Sequence, residues 1–242
     1  MNKCKYWMTL VIVMTCLCAI SCGGGDDNYD NTPANRAALV PTYTMVNAAT
    51  SSDIGKVVCS NGHIHATVND VNCGGTASAM IAYVGSLNDG EGTGSFSSSF
   101  NHGLAVALSD VLANGVEGSN YMLWDEAMKM PAKYECALPE SYTSPWFLPS
   151  AYQLMRIFIG CGSTAEFVTG LDTRESFEDG NFRTMMSSCG GTDVKSESYW
   201  TCTEHMVHRA WFYSFVNRRF GNRLKDSVSD QGFYYARPII AF

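Results

Sequence analysis

The chain has 242 residues, of which 46% are hydrophobic and only 16% are charged, and its formal net charge is −7. This apolar content excludes a disordered chain, and the acidic balance argues against a general nucleic-acid binder, which normally carries a basic surface. The ten cysteines favour a compartment outside the reducing cytosol.

The N-terminal segment has the pattern of a secretory signal. Lys3 and Lys5 precede an apolar run of residues 7–20. A membrane-spanning helix needs about 20 apolar residues, so this run is too short to span and is typical of a signal peptide. The following Ala19-Ile-Ser-Cys22 resembles a bacterial lipobox, which implies a signal peptide over 1–21 and acylation of Cys22.

A flexible tether is predicted over residues 22–38. Its Gly-Gly-Gly-Asp-Asp run after Cys22 resembles the acidic export tether of surface lipoproteins in Gram-negative bacteria. A glycine-rich, self-repelling chain is an extended spacer. The resemblance implies an outer-membrane lipoprotein that is exposed at the cell surface and held in the lipid by its acyl chains.

Residues 39–242 are predicted to form one domain that begins with strands. Asn61-Gly62 lies between two alternating segments, 55–59 and 63–68, and this arrangement indicates a β-hairpin. Further strands are predicted over 77–84, 102–108, 210–216 and 233–242.

Two helices are predicted between the early and late strands. The first runs from about Tyr121 to Met130 and is ended by Pro131. The second begins after Ser150, an N-cap with Gln153 at capping-box spacing, and we expect it to stop near residue 160. Strands, then helices, then strands indicate an α+β fold.

A family resemblance rests on an ordered set of motifs that spans most of residues 50–242. The set includes Asn61-Gly-His-Ile, Ala79-Met-Ile-Ala-Tyr-Val-Gly85, Trp146-Phe-Leu-Pro-Ser150, Tyr199-Trp-Thr-Cys-Thr-Glu204 and Ala236-Arg-Pro-Ile-Ile-Ala-Phe242. It resembles the Fibrobacter succinogenes major paralogous domain family, related to the Lcl C-terminal-type domain. The resemblance implies a C-type lectin-like fold, with two helices on a twisted antiparallel sheet.

Six cysteines remain after the signal and the acylated Cys22, and an even number outside the cytoplasm favours disulfides. Cys59 and Cys73 flank the predicted second strand and could lie close enough to bridge. Comparison with the family pattern suggests the pairs Cys136–Cys202 and Cys161–Cys189, among 15 possible connectivities.

A basic cluster is the main candidate for ligand binding. Residues 201–242 hold six basic and three acidic side chains in an otherwise acidic chain. Four of the basic residues surround Gly221-Asn222, where we expect an exposed hairpin: Arg218, Arg219, Arg223 and Lys225. They form either a surface for a polyanion such as a sulfated glycan or an ordinary solvated turn.

Other site candidates have structural interpretations. Glu204 and Arg237 are interpreted as a structural ion pair rather than a polar site. The tryptophans Trp146, Trp200 and Trp211 are interpreted as core residues rather than a sugar-stacking platform. Two histidine pairs, His63 with His65 and His205 with His208, have ligand-like spacing but no third ligand nearby in sequence. We therefore expect no metal, cofactor or catalytic residue.

Three functions are compatible with this sequence. The first is a non-enzymatic surface lipoprotein that binds a glycan, a polyanion or a surface protein in adhesion. The alternative is a structural or accessory subunit of a surface assembly that acts through protein–protein contacts. The third is an enzyme of the formylglycine-generating type, for which the motif context is missing. Fold alone does not decide among them.

Overall fold

Eight strands and three α-helices make up the part of the chain that the computed structural model describes, which comprises residues 42–87, 99–112, 122–171, 176–226 and 234–242. The signal peptide, Cys22 and the tether lie outside these ranges. Thr42–Phe242 forms one compact unit. The fold is α+β and mostly β. No helix within the described ranges has the length and apolarity to cross a membrane.

The strands form two antiparallel sheets. The five-stranded sheet has the order β2-β1-β3-β4-β8, and the three-stranded sheet has the order β5-β6-β7. The strands of the first sheet are β1 Val57–Cys59, β2 Ile64–His65, β3 Ala77–Val84, β4 Gly103–Ala107 and β8 Ile239–Ala241. Those of the second are β5 Ser198–Met206, β6 Arg209–Ser214 and β7 Arg219–Leu224.

Period-two alternation places the residues of the five-stranded sheet in two apolar layers. Met80 and Ala82 of β3 face the central core, whereas Ala79 and Ile81 face a second layer under residues 46–54 and 138–146. The central core lies between this sheet and the longer helices, and its ring contacts centre on Phe158. Both faces of the sheet are therefore covered, which explains its nearly continuous apolar strands.

The three-stranded sheet also separates two apolar clusters. Tyr199, Trp211 and Tyr213 face the central core, while Trp200 and Phe212 face a smaller cluster around α1. This sheet thus extends the core away from the five-stranded sheet and presents its far end to solvent.

The helices are α1 Trp124–Ala127, α2 Ala151–Gly160 and α3 Phe182–Ser188. The prediction for α2 is confirmed: the Ser150 side chain accepts a hydrogen bond from the Gln153 N–H at 3.1 Å, and the Gln153 side chain accepts one from the Ser150 N–H at 2.8 Å. The helix ends at Gly160 because the following turn closes on Gly162, whose φ of +89° suits glycine.

The other predicted elements differ in detail. The hairpin around Asn61-Gly62 and the strand over 77–84 form, but the last strand is only Ile239–Ala241 because Pro238 interrupts the C-terminal segment. The predicted helix over 121–130 shrinks to the four residues of α1, followed by a 3₁₀ turn through Pro131. No sequence pattern predicted β5, β7 or α3.

Candidate functional site

The four basic candidate residues lie on β7 and beside its two ends, and the turn of the β6–β7 hairpin is at residues 215–218 rather than at Gly221-Asn222. Gly221 and Asn222 are in the middle of β7, where they pair with Phe212 and Trp211 of β6. A Cβ on Gly221 would lie 2.5 Å from the Phe212 ring. This glycine therefore marks a close approach of backbone to an aromatic ring rather than a turn, which corrects the predicted position of the hairpin turn.

The fold engages three of these four basic side chains. Arg218 forms an ion pair with Glu178 at 2.6 Å. The Arg223 guanidinium interacts electrostatically with the Tyr234 hydroxyl. Lys225 forms an ion pair with Glu204 and lies over the ring of Trp124, as described below. Arg219 is exposed at the start of β7. Local partners therefore reduce the charge that this strand offers to a polyanion.

The structure pairs Glu204 and Arg237 with other residues, which corrects the predicted ion pair between them. Lys225 Nζ lies 3.0 Å from Glu204 Oε1 and 4.2 Å from the centre of the Trp124 ring. Arg237 Nε lies 2.6 Å from Asp110 Oδ1, and both side chains are about 95% buried. Glu204 lies on the exposed end of β5, so it is beyond the reach of the buried C-terminal segment.

The buried Asp110–Arg237 pair belongs to a fully bonded network. Arg237 also donates to the carbonyl and hydroxyl oxygens of Thr192, at 2.9 and 3.0 Å. The Tyr199 hydroxyl donates to Asp110 Oδ2 at 3.0 Å. Burial, with the adjacent Asp110 carboxylate, raises the pKa of Tyr199, so this hydroxyl keeps its proton. The network ties the segment before β8 to β5.

A cleft of about 620 Å³ lies beside this network. Asp110 and Tyr134 are in its wall, and Lys133 and Glu135 are exposed on its lining. The Asp110 carboxylate is already bonded to Arg237 and Tyr199, and the Tyr134 hydroxyl lies 3.1 Å from Ser109 Oγ. The carboxylate of Asp110 and the hydroxyl of Tyr134 are therefore both bonded within the protein.

The three candidate tryptophans pack in the protein. Trp200 is almost completely buried, and its indole donates to the Met122 carbonyl at 2.9 Å. Trp211 is buried in the central core. Trp146 is partly buried, and its indole donates to the Cys136 carbonyl at 2.6 Å. Their side chains thus fill the apolar clusters, as the sequence interpretation expected.

The six described cysteines are free thiols in the structure. Cys161 and Cys189 follow the ends of α2 and α3 and are buried in the same core. Cys202 is buried in the cluster around α1, and burial raises the pKa of its thiol to about 12. A thiol that stays protonated is a poor nucleophile, so the surroundings of Cys202 do not activate it for nucleophilic catalysis.

Cys59 and Cys73 meet beside His65, in a group that we call the thiol–histidine cluster. One ligand atom from each of these three residues lies within 4.8 Å of the other two. Burial, and then the adjacent Cys73 thiol, raises the pKa of Cys59 to about 12. Partial burial also disfavours the Cys73 thiolate, but hydrogen bonds from the Gly75 backbone and the Asn61 side chain outweigh it and lower the pKa of Cys73.

Exposed apolar side chains collect at one end of the three-stranded sheet. Met206 pairs with Arg209, which pairs with Leu224, so the three residues form a row across β5, β6 and β7. Val207 lies in the turn just beyond this row. Met206, Val207 and Leu224 are 62%, 79% and 42% exposed, and we call them the apolar tip.

The apolar tip continues the core-facing side of the sheet past the end of the core. Directly opposite residues of an antiparallel pair share a face, so the row lies on the same side as Trp211, two residues along β6. Arg209, in the middle of the row, hydrogen-bonds Asn222 at 2.9 Å. Apolar side chains of the tip thus lie on both sides of Arg209, whose guanidinium is hydrogen-bonded within the sheet.

Comparisons with known proteins identify no family. No family model matches the sequence, and no curated protein matches it. A crystal structure of a fimbrial protein from Bacteroides ovatus ATCC 8483 aligns with a TM-score of 0.43 and 11% sequence identity. The alignment covers 78% of this chain and 48% of that protein, so the chain spans about half the length of this structural neighbour.

Proposed function

We propose that the protein is a structural or accessory subunit of a bacterial surface assembly and that it acts through protein–protein contacts at the apolar tip. The observation that carries this proposal is the row of exposed apolar side chains at the far end of the three-stranded sheet. Contiguous exposed apolar side chains at one place on a soluble surface are typical of interaction sites.

The distribution of charge supports protein contact over polyanion binding. Partners within the protein engage Arg218, Arg223 and Lys225, which leaves a weak basic surface for a sulfated glycan. Ionic attraction from such a surface is readily screened by salt. Contact between the apolar tip and an apolar partner is favourable in free energy, because it removes the apolar side chains of the tip from water.

The remaining parts of the proposal concern anchoring and fold. An acylated Cys22 would hold the subunit in the outer membrane, and the tether would present residues 42–242 at the cell surface. We regard the domain as C-type lectin-like and related to the major paralogous domain family, and we assign it no enzymatic activity. Two observations support this part of the proposal. Helices pack against an antiparallel sheet, and the strands of the three-stranded sheet come after the helices and before the C-terminal strand in the order of the chain.

The test places a photo-crosslinking amino acid at position 207 in cells that produce the protein. The matched control carries it at position 216. Val216 is 62% exposed, compared with 79% for Val207, and lies in the turn at the opposite end of the same sheet. We expect a discrete adduct with a surface protein from position 207 only. Val207→Asp should abolish co-isolation of that protein, whereas Val216→Asp should retain it.

Two results would contradict the proposal. One is an equal pattern of adducts from positions 207 and 216, which would mean that the apolar tip has no dedicated partner. The other is salt-sensitive binding to a sulfated glycan that survives Val207→Asp and is lost when Arg219 and Arg223 are replaced by alanine. That outcome would establish β7 as a polyanion-binding surface.

A further inference from the structure

The β1–β2 hairpin brings together donor atoms that are far apart in sequence. Val57 lies opposite His65 across the two strands, and Cys59 is two residues from Val57, so Cys59 and His65 share a face. The loop after β2 then returns Cys73 to the same place. Asn61 in the hairpin turn holds that loop, because its side-chain amide donates to the Cys73 carbonyl at 3.1 Å and to its sulfur at 3.3 Å.

The imidazole in this cluster has an unused polar atom. His65 is 94% buried, and its Nε2 has no hydrogen-bond partner within the described structure. A buried polar atom without a partner costs about 1–3 kcal/mol, so such atoms are rare unless a ligand completes them. The ring centres of Tyr43 and His65 are 4.9 Å apart, and this contact restricts the orientation of the imidazole. The ring is thus oriented but incompletely bonded.

We propose that Cys59, His65 and Cys73 form a binding site for a thiophilic metal ion, with Zn²⁺ as the expected occupant. Two thiolates and one imidazole are the donors that zinc prefers, whereas Mg²⁺ and Ca²⁺ require oxygen ligands. Two thiolates also neutralise the charge of a divalent cation, which makes the site compatible with a partly buried position.

The geometry needs only a small contraction to hold zinc. Tetrahedral ligands at about 2.0–2.3 Å from the metal are separated from one another by about 3.3–3.8 Å. The donor atoms of the cluster lie within 4.8 Å of one another, so they must approach by at most about 1.0–1.5 Å. Cys73 can supply this movement, because it is partly exposed on a loop rather than fixed in a strand.

Asn61 is a positioning residue in this proposal. Its hydrogen bonds hold the Cys73 sulfur beside Cys59 and stabilise negative charge on it. Three protein ligands leave one position of a tetrahedral ion for water or for a donor from another molecule. The site is separate from the apolar tip, so it does not depend on the proposed function.

The test measures metal binding to the full chain, isolated in detergent from membranes of producing cells and kept anaerobic and reduced. We expect one Zn²⁺ per chain by elemental analysis. Co²⁺ should give the intense visible bands of a tetrahedral ion and a sulfur-to-cobalt charge-transfer band in the near ultraviolet. Zinc should displace the cobalt and remove both signals.

Variants distinguish this site from the other cysteines. Cys73→Ser and His65→Ala should each weaken zinc binding by more than about 100-fold, and Asn61→Ala by about 10-fold, in line with the loss of a ligand or of its supporting partner. Cys136→Ser, which removes a half-exposed thiol outside the cluster, should bind zinc like the unaltered chain. Because Cys73 is not buried, Cys73→Ser should keep the circular-dichroism spectrum of the folded protein.

Three outcomes would overturn the proposal. Absence of the charge-transfer band from reduced, folded chain would show that the cluster does not bind the ion. A Cys59–Cys73 disulfide in peptides from cells whose thiols were trapped at lysis would show that the two sulfurs serve as a covalent crosslink instead. Equal zinc loss in Cys136→Ser and Cys73→Ser would count as absence of a specific site.

Discussion

At the scale of single residues, Arg237 is held by more contacts than the sequence could suggest. It is buried with Asp110, 127 residues earlier in the chain, and it also binds Thr192. Burying two charges is costly, but here Arg237 also donates hydrogen bonds to Thr192, and Asp110 also accepts one from Tyr199. The role of Arg237 is therefore to fix the segment before β8 against distant parts of the fold.

We expect Arg237→Met to lower the free energy of unfolding by about 3–5 kcal/mol, because it leaves the Asp110 carboxylate buried without its cation. The measurement is urea unfolding followed by tryptophan fluorescence. The double variant Asp110→Leu/Arg237→Met should recover part of the loss, since it removes both charges and leaves none unpaired.

The matched control is Arg218→Ala, which removes an arginine from an ion pair whose two side chains are 57% and 47% exposed. We expect little change in stability there, because water screens exposed ion pairs. If Arg237→Met is no more destabilising than Arg218→Ala, the buried network does not have the structural role assigned to it.

At the scale of secondary-structure elements, signals that act within a few residues were predictable. The boundaries of α2 follow from Ser150, Gln153 and the glycine after Cys161, all of which satisfy backbone groups of the same helix. The close contact between α2 and the neighbouring strand β3 was not predictable. A Cβ on Gly160 would lie 2.2 Å from the Ala82 carbonyl oxygen, so this position requires glycine because of a strand and not because of the helix itself.

Both longer helices end in the same way. After α2, the Ser163 N–H bonds the Phe158 carbonyl and the Gly162 N–H bonds the Ile159 carbonyl. Gly190 and Gly191 make the equivalent bonds after α3. This is the Schellman motif, whose penultimate position takes a left-handed backbone and therefore favours glycine.

Gly162→Ala should lower the free energy of unfolding by about 1–3 kcal/mol, because alanine is strained at a φ of +89°. Thermal or urea unfolding measures the change. Gly170→Ala is the control: a Cβ there meets nothing within 4 Å, and its φ lies outside the left-handed range. Equal stability of the two variants would contradict the assigned helix end.

At the scale of the whole molecule, the sequence predicts an anchor, a tether and a domain with separate physical roles. The anchor and the tether lie outside the described residues, so lipidation remains a prediction from the lipobox resemblance. Acyl chains on one cysteine hold a protein in a bilayer through burial of methylene groups, at about 0.8 kcal/mol per group.

We expect Cys22→Ala to release the protein from the membrane fraction into the soluble fraction, because no acyl chain would then be attached. Ultracentrifugation of cell lysates, followed by immunoblotting, measures this partition. Cys136→Ala should stay with the membranes. Continued membrane association of Cys22→Ala would refute acylation as the anchor.

The sequence alone determined the features that depend on neighbouring residues: the caps of α2, the hairpin at Asn61-Gly62, the alternation of β3 and the apolar N-terminal run. These signals act through local backbone geometry and side-chain periodicity, which are written in consecutive residues. They were sufficient to predict an α+β domain.

Only the tertiary structure decided which distant side chains meet. It paired Arg237 with Asp110, placed Gly221 in a strand against Phe212 and brought Cys73 to Cys59 and His65. It also separated the exposed apolar tip from the apolar core, although both use the same residue types. These contacts depend on how the sheets pack, and packing is a property of the whole chain that no local pattern specifies.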